Sequence, residues 1–371
     1  MKITRLLTLV LPLTLGAALC LASSATLRRE EPSRLPVGNS LEQAVDQMVA
    51  GSRGQMWVTW EVPVNDPEVQ MCCFDSLEHG QKARWRGGSC SLAKGASYFS
   101  NHGGNGSTAP IAKENFAVYV HMEDGAVDDV RSFSSDCRID AGGIRVQRIN
   151  DVSPFESVAY LTKLAETLHV ESAPRGKHNK QKKDNDSQHA IAAIAMHQGG
   201  DAMKALENIV QSKSAEEIRG HAAFWLGQKG GKHGLEVLHK TISSTDSEEL
   251  REQAVVGIAQ SEEPEATPLL LSLARTHPNA EVRTQAIFWL GQKAGEKVTG
   301  HLQTAADDPD EEVREMAVFA VSQLPKDRAI PALIEMARTH KSRSVRERAV
   351  FWLGQSGDPR ALEAIEQILL R

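Results

Sequence analysis

Positive charge is not in excess in this sequence: 42 lysines and arginines stand against 48 aspartates and glutamates, a net charge of −6 over 371 residues. Duplex binding rests largely on clustered Lys and Arg set against phosphate, so the balance points away from nucleic acid. Gly-x-Ser-x-Gly, a phosphate-binding loop and a dinucleotide fingerprint are all missing, which removes the commonest sequence routes to a nucleophilic serine or a bound nucleotide. Two separated Cys-x-x-Cys knuckles are absent as well, and with them the usual framework of a structural zinc site. No cofactor and no metal site is expected.

What is present fits an ordinary soluble protein, with 41% hydrophobic and 24% charged residues. The length exceeds what one hydrophobic core usually serves, so two domains are expected. Lys2 and Arg5 precede an apolar run from Leu6 to Leu21, and Ser23-Ser24-Ala25 supplies small residues after it. That pattern predicts a secretory signal over 1–25, with export to a bacterial periplasm or beyond and no membrane insertion once it is removed. Cys20 raises lipidation as the alternative, although Leu19 stands where a lipoprotein signal wants a small residue. Cys72, Cys73, Cys90 and Cys137 then remain, an even number that suggests two structural disulfides in an oxidising compartment. Neighbours such as Cys72 and Cys73 bridge each other only with strain, so each is expected to reach Cys90 or Cys137.

Residues 26–40 are charged or turn-forming and read as a flexible lead-in. A small α+β domain with these disulfides is expected over 41–171. Met56 to Val62 alternates as a strand does, and Asn115 to Glu123 is joined to Ala126–Phe133 by Asp124-Gly125, a pair suited to a tight antiparallel hairpin. Ser153, Pro154 and Glu156 spell a helix start, followed by Val158, Leu161 and Leu164 at helical spacing. Asp128, Asp129, Asp136 and Asp140 match no established calcium loop and read as solvated carboxylates. The stretch 172–187, with Lys177, Lys180, Lys182 and Lys183 and almost nothing apolar, reads as an exposed basic linker.

From 188 to 371 the chain repeats itself. Ile218-Arg219, Leu250-Arg251, Val282-Arg283, Val313-Arg314 and Val345-Arg346 recur every 31 or 32 residues, each followed nine positions later by Gln228, Gln260, Gln292, Gln323 or Gln355. Gln188 to Gln198 is a degenerate first copy. Val282, Ala286, Trp289 and Leu290 share one face of a helix, and Gly227, Gly291 and Gly354 stand where such helices should end. Two short helices cannot bury their apolar stripes alone, but stacked pairs can bury them against one another. The fold expected is an α–α superhelix of about six helix pairs.

The Val-Arg-x-x-Ala…Leu-Gly pattern followed by a second amphipathic helix resembles HEAT repeats of the short, phycobilisome-lyase-like type. The whole arrangement is similar to exported bacterial HEAT-repeat proteins with a cysteine-containing amino-terminal domain and no assigned activity. The resemblance implies that the arginine-bearing helices line the concave side. It also implies that Arg219, Arg251, Arg283, Arg314 and Arg346 form a structural ladder, bonded to loop carbonyls or to carboxylates such as Asp246, Asp310 or Glu281. Enzymes built on helical repeats include iron-dependent hydroxylases with His-Glu pairs. No His-Glu dipeptide occurs here, and His221, His233, His239, His277, His301 and His340 are scattered, as solvated surface residues would be.

Two aromatic series run through the repeats. Phe224, Val256, Phe288, Phe319 and Phe351 form one; Trp225, Gly257, Trp289, Ala320 and Trp352 form the other, alternating large with small so that the true period is about 64. Packing of each tryptophan over the glycine or alanine of the next helix accounts for the second series. The phenylalanines, with Trp225, Trp289 and Trp352 at their edges, are candidate anchors for a partner. The function expected is a non-enzymatic scaffold that binds a protein or an extended peptide. The alternative is an enzyme or redox protein with its site in the cysteine-containing domain.

Overall fold

The two parts of the chain share one core, because the sheet at the amino-terminal end packs directly on the first helices of the repeat stack. In this computed structural model, residues 33–34, 40–51, 54–65, 90–92, 114–135, 137, 139–170, 177–293 and 298–370 are described. The signal expected over 1–25 lies outside them, as do Cys72 and Cys73 and hence the expected disulfide pairing.

The sheet has the order β1-β7-β2-β4-β5, with β1 at Ser33–Arg34, β2 at Met56–Pro63, β4 at Asn115–Glu123, β5 at Ala126–Ser134 and β7 at Arg145–Asn150. A separate short pair joins β3 (Cys90–Ser91) to β6 (Ile139–Asp140). The hairpin β4–β5 turns at Asp124 (φ 52°) and Gly125 (φ 83°), the two positive-φ positions its two-residue turn demands. The sheet is mixed, not purely antiparallel. β7 returns on the far side of β2 and runs parallel to it, and Ser33–Arg34, inside the stretch read as a lead-in, adds a parallel edge beyond β7.

Alternation divides the sheet's residues between two faces. Met56, Val58, Trp60 and Val62 join Phe116, Val118, Val120 and Met122 in the large core, under α1 (Leu41–Gly51) and α2 (Pro154–Val170). Trp57 and Phe133 lie on the other face in a small cluster with Cys90, Leu92 and Ala141, against which Cys137 packs. Reciprocal side-chain caps start both helices: Ser40 with Gln43, and Ser153 with Glu156.

Beyond α2 the chain is a stack of helix pairs: α3 (Lys177–Met196) with α4 (Gly200–Gln211), α5 (Glu216–Lys229) with α6 (Gly231–Ser244), and α7 (Glu248–Gln260) with α8 (Ala266–Thr276). Then follow α9 (Ala280–Gln292) with α10 (Val298–Ala305), α11 (Glu311–Ser322) with α12 (Lys326–Thr339), and α13 (Arg343–Gln355) with α14 (Pro359–Leu369). The stretch read as a linker is helical from Lys177 onward and forms the first half of α3. Lysine and glutamine are good helix formers, and the buried run from Ala190 to Ile194 anchors the far end of the same helix. α2 touches both β2 and the repeat helices α3, α4 and α5, while α3 also packs on β5. The amino-terminal domain therefore covers the open end of the stack, as terminal repeats must be covered.

Candidate functional site

The arginine of each repeat is held by the turn before it. Arg251 Nη2 donates to the Thr245 carbonyl at 2.6 Å, and Arg346 Nη1 to those of His340 and Lys341 at 2.6 and 3.0 Å. Arg283 Nη1 donates to the carbonyls of His277 and Pro278 at 2.8 and 3.2 Å, and Arg314 Nη1 to Asp308 and Pro309, both at 2.9 Å. Arg219 Nε reaches Val210 O at 3.0 Å. Four of these arginines use the residue six positions earlier, namely Thr245, His277, Asp308 and His340. In each case that residue's side chain also accepts the backbone N–H two positions on. Each turn is thus closed by its side chain and by the arginine together. His277 and His340 are half-buried parts of this device, not the solvated surface groups expected. The carboxylate that joins the ladder is Asp308, paired through both oxygens with Arg283 at 2.9 Å; Asp310 instead caps α11. A residue with a side-chain acceptor six before four of the five arginines was the sequence signal for these positions.

Small residues set how closely the arginine-bearing helices approach. A Cβ on Gly227 would collide with the carbonyl of Gly257, and one on Gly257 would lie 2.7 Å from the Ala223 carbonyl oxygen. A Cβ on Gly291 would lie 2.8 Å from that of Ala320. Gly227 and Gly291, in the last turns of α5 and α9, thus serve close packing, and Gly354, in the last turn of α13, meets nothing within 4 Å. Gly257 and Ala320 lie on these glycines. The 64-residue period is therefore one of closed seams, α5 on α7 and α9 on α11, with a seam lacking such contacts between them.

The aromatic residues line the same helices. Phe224 meets Trp225 edge-on at 5.5 Å. Further along, the rings form an unbroken series: Trp289 to Phe288 at 5.3 Å, Phe288 stacked on Phe319 at 6.2 Å, Phe319 to Trp352 at 5.3 Å, and Trp352 to Phe351 at 5.1 Å. The tryptophans pack on the core from its rim, the phenylalanines are part-exposed, and Phe351 is 49% exposed. On the α7–α9 seam the ladder borders a cavity of about 600 Å³, lined among others by Gln260, Glu262, Glu263, Trp289, Gln292 and Lys293. Lys293 Nζ donates to Ser261 O at 3.3 Å, and burial lowers its pKa.

A second concentration of polar chemistry lies on the outer face of the sheet. The ladder shifts register between His121 and Met122, leaving Asp128 as an extra residue on β5. Such a bulge re-aims side chains, and here Asp128 meets His121 Nδ1. Asp129 Oδ2 accepts from Arg131 Nε and Nη2 at 3.1 and 2.9 Å, and the guanidinium lies 5.8 Å above the Trp57 ring. Trp57 also contacts His121, ring to ring, at 4.8 Å. His121 Nε2, Asp129 Oδ1 and Trp57 Nε1 are buried without hydrogen-bond partners among the described residues. Asp140 closes a local turn to Gly142 N, and Asp136 lies outside the described residues. Among those residues, no three His, Cys, Asp or Glu side chains gather into a metal-binding group, and no helix is long and apolar enough to cross a membrane.

A family model for HEAT repeats matches residues 203–291, 267–347 and 298–371. No curated protein sequence matches the chain. Among solved structures, human deoxyhypusine hydroxylase in complex with glycerol is 17% identical, with 58% of this chain and 90% of that one covered, at a TM-score of 0.25. The CpcE–CpcF complex of phycocyanin lyase from Nostoc is 21% identical, over 41% of this chain and 97% of that one, at 0.30. A designed armadillo repeat protein in complex with a peptide is 18% identical, over 55% and 99%, at 0.28. These proteins are what the chain is similar to, at a level that carries nothing about its activity. From the repeated Arg turns, the glycine-closed seams and the match of the family model, residues 203–371 belong to the HEAT-repeat family.

Proposed function

We propose that this protein is an exported, non-enzymatic scaffold that holds another protein or an extended peptide along the aromatic face of its repeats. The ladder Trp289, Phe288, Phe319, Trp352 and Phe351 carries this reading, because its rings touch one another yet remain part-exposed. Aromatic side chains concentrate binding energy when a partner completes their burial. The neighbouring glutamines suit backbone amides of an extended segment. Export rests on the leader pattern of residues 1–25, and the proposed bridges among Cys72, Cys73, Cys90 and Cys137 fit an oxidising destination. The test is a pull-down from the exported fraction with wild type and with Phe288→Ala plus Phe351→Ala. Loss of a specific partner is the expected result, and an unchanged partner set sinks the reading.

The second reading places an activity in the amino-terminal domain. One observation favours it: Asp128 meets His121 Nδ1, and Nε2 is buried without a partner among the described residues, an arrangement that suits a base or a ligand. Thiol counting on the non-reduced protein separates a redox version from structural bridges, because a readily exchanged thiol is required for the former.

A further inference from the structure

Resting on the binding reading above, we propose that the cavity on the α7–α9 seam receives a cationic side chain, arginine or lysine, from an extended segment of the partner. The position of the cavity follows from the repeat doublet. Gly227 with Gly257 and Gly291 with Ala320 close the seams on either side. Between them the indole of Trp289 forms a wall of the open one.

Several elements of the lining favour positive charge, and Lys293 opposes it. The Trp289 ring lines the cavity, and aromatic faces attract ammonium and guanidinium groups. α7 ends here, so the negative end of its dipole lies at Gln260 and Ser261. Glu262 and Glu263 follow in the loop, and Gln260 and Gln292 supply amides for the backbone that carries the guest. Lys293 is the cation already present. Its ammonium reaches the Ser261 carbonyl at the long distance of 3.3 Å. A guanidinium offers several donors in a fixed plane and can bond a carboxylate and a carbonyl at once.

The other end of the same seam is negative too. Glu281, at the start of α9, has its carboxyl pKa raised first by burial and then by Glu248 and Glu252 across the seam, with Arg251 as the opposing charge. An extended segment with basic residues along it is complementary to both ends, whereas an acidic segment meets like charge at each.

The test uses the full chain and short fluorescent peptides of one flexible spacing that carry paired arginine, citrulline, aspartate or leucine residues. Polarization titrations are run on wild type, on Glu262→Gln with Glu263→Gln, on Trp289→Leu and on Lys293→Met, with circular dichroism as the folding check. Wild type binds the arginine peptide about tenfold more tightly than its neutral citrulline counterpart. The preference disappears in the double glutamine variant, weakens in Trp289→Leu and persists or grows in Lys293→Met. Equal affinity for arginine and citrulline, tightest binding of the aspartate or leucine peptide, or a preference unmoved by the double variant overturns the cationic assignment. The groove reading then still stands on any peptide released by Phe288→Ala plus Phe351→Ala. If no peptide binds, the proposal of a basic segment fails, while the pull-down decides the groove reading independently.

Discussion

Trp60 on β2 and Ser157 on α2 are joined by a 2.7 Å hydrogen bond, indole Nε1 donating to Oγ, inside a core where both residues are fully buried. Ser157 Oγ in turn donates to His197 Nε2 at 2.7 Å, and His197 Nδ1 donates to the Ala193 carbonyl at 2.7 Å. The tautomer follows from the partners, since a carbonyl can only accept. One hydroxyl therefore ties the sheet, α2 and the end of α3 together.

Ser157→Ala leaves the Trp60 N–H and His197 Nε2 buried without partners. Such a loss costs about 1–3 kcal/mol for each orphaned group. Denaturant unfolding is expected to show a lower midpoint, with sheet and first repeats melting together because they share one core. Separate transitions for the two regions contradict that picture.

Burial lowers the pKa of His197 from 6.5 to about 4. In the unfolded chain the imidazole takes up a proton near its ordinary pKa; in the folded chain it does so only near 4. Between those values the unfolded state binds more protons, so stability falls as pH drops through this window and levels off below it. The lowered value corresponds to about 3 kcal/mol at the acid end. His197→Gln, measured by urea unfolding across this window, is expected to flatten that slope; an unchanged slope refutes the assignment.

The glycines of the repeats differ in cost. Gly227→Ala drives a methyl into the Gly257 backbone and is expected to destabilise by several kcal/mol, about 3 or more, since backbone on both sides resists movement. Gly354→Ala has open space and helical geometry, so it is expected to stabilise by about 1 kcal/mol. Thermal melts of the two variants decide the matter by their opposite signs.

Asp308→Ala is expected to cost about 3 kcal/mol, because it strips the carboxylate from a largely buried Arg283 and also removes the acceptor for Asp310 N. Glu347→Ala, which breaks the exposed pair with Arg343, is expected to leave the midpoint unchanged. Equal effects in chemical unfolding rule out the structural role given to Asp308.

Local signals carried far in this chain. Asp124-Gly125 turned the hairpin, Ser153 and Glu156 capped α2 reciprocally, and the spacing of the arginines gave the helical repeats. Each depends on residues within a few positions, or on a pattern copied many times. The helical state of Lys177–Ser187 was hidden because its polar composition matches a linker, and its order comes from the apolar end of the same helix. The parallel return of β7 could not be read either, since Arg145–Asn150 finds its partner in β2, more than eighty residues earlier. In the candidate site the aromatic positions were legible as a row, but their mutual contacts were not.

The sequence alone determined the repeat and the doublet, because a pattern of large and small residues at a fixed period needs no partner to be seen. Which small residue meets which was decided only by the tertiary structure. Gly257 falls on Gly227, Ala320 falls on Gly291, and Trp289 is left beside an open seam. The reason is steric: the approach of two helices is set by side chains about thirty residues apart in the chain, and only when both faces are in place does one seam close and the next remain available to a guest.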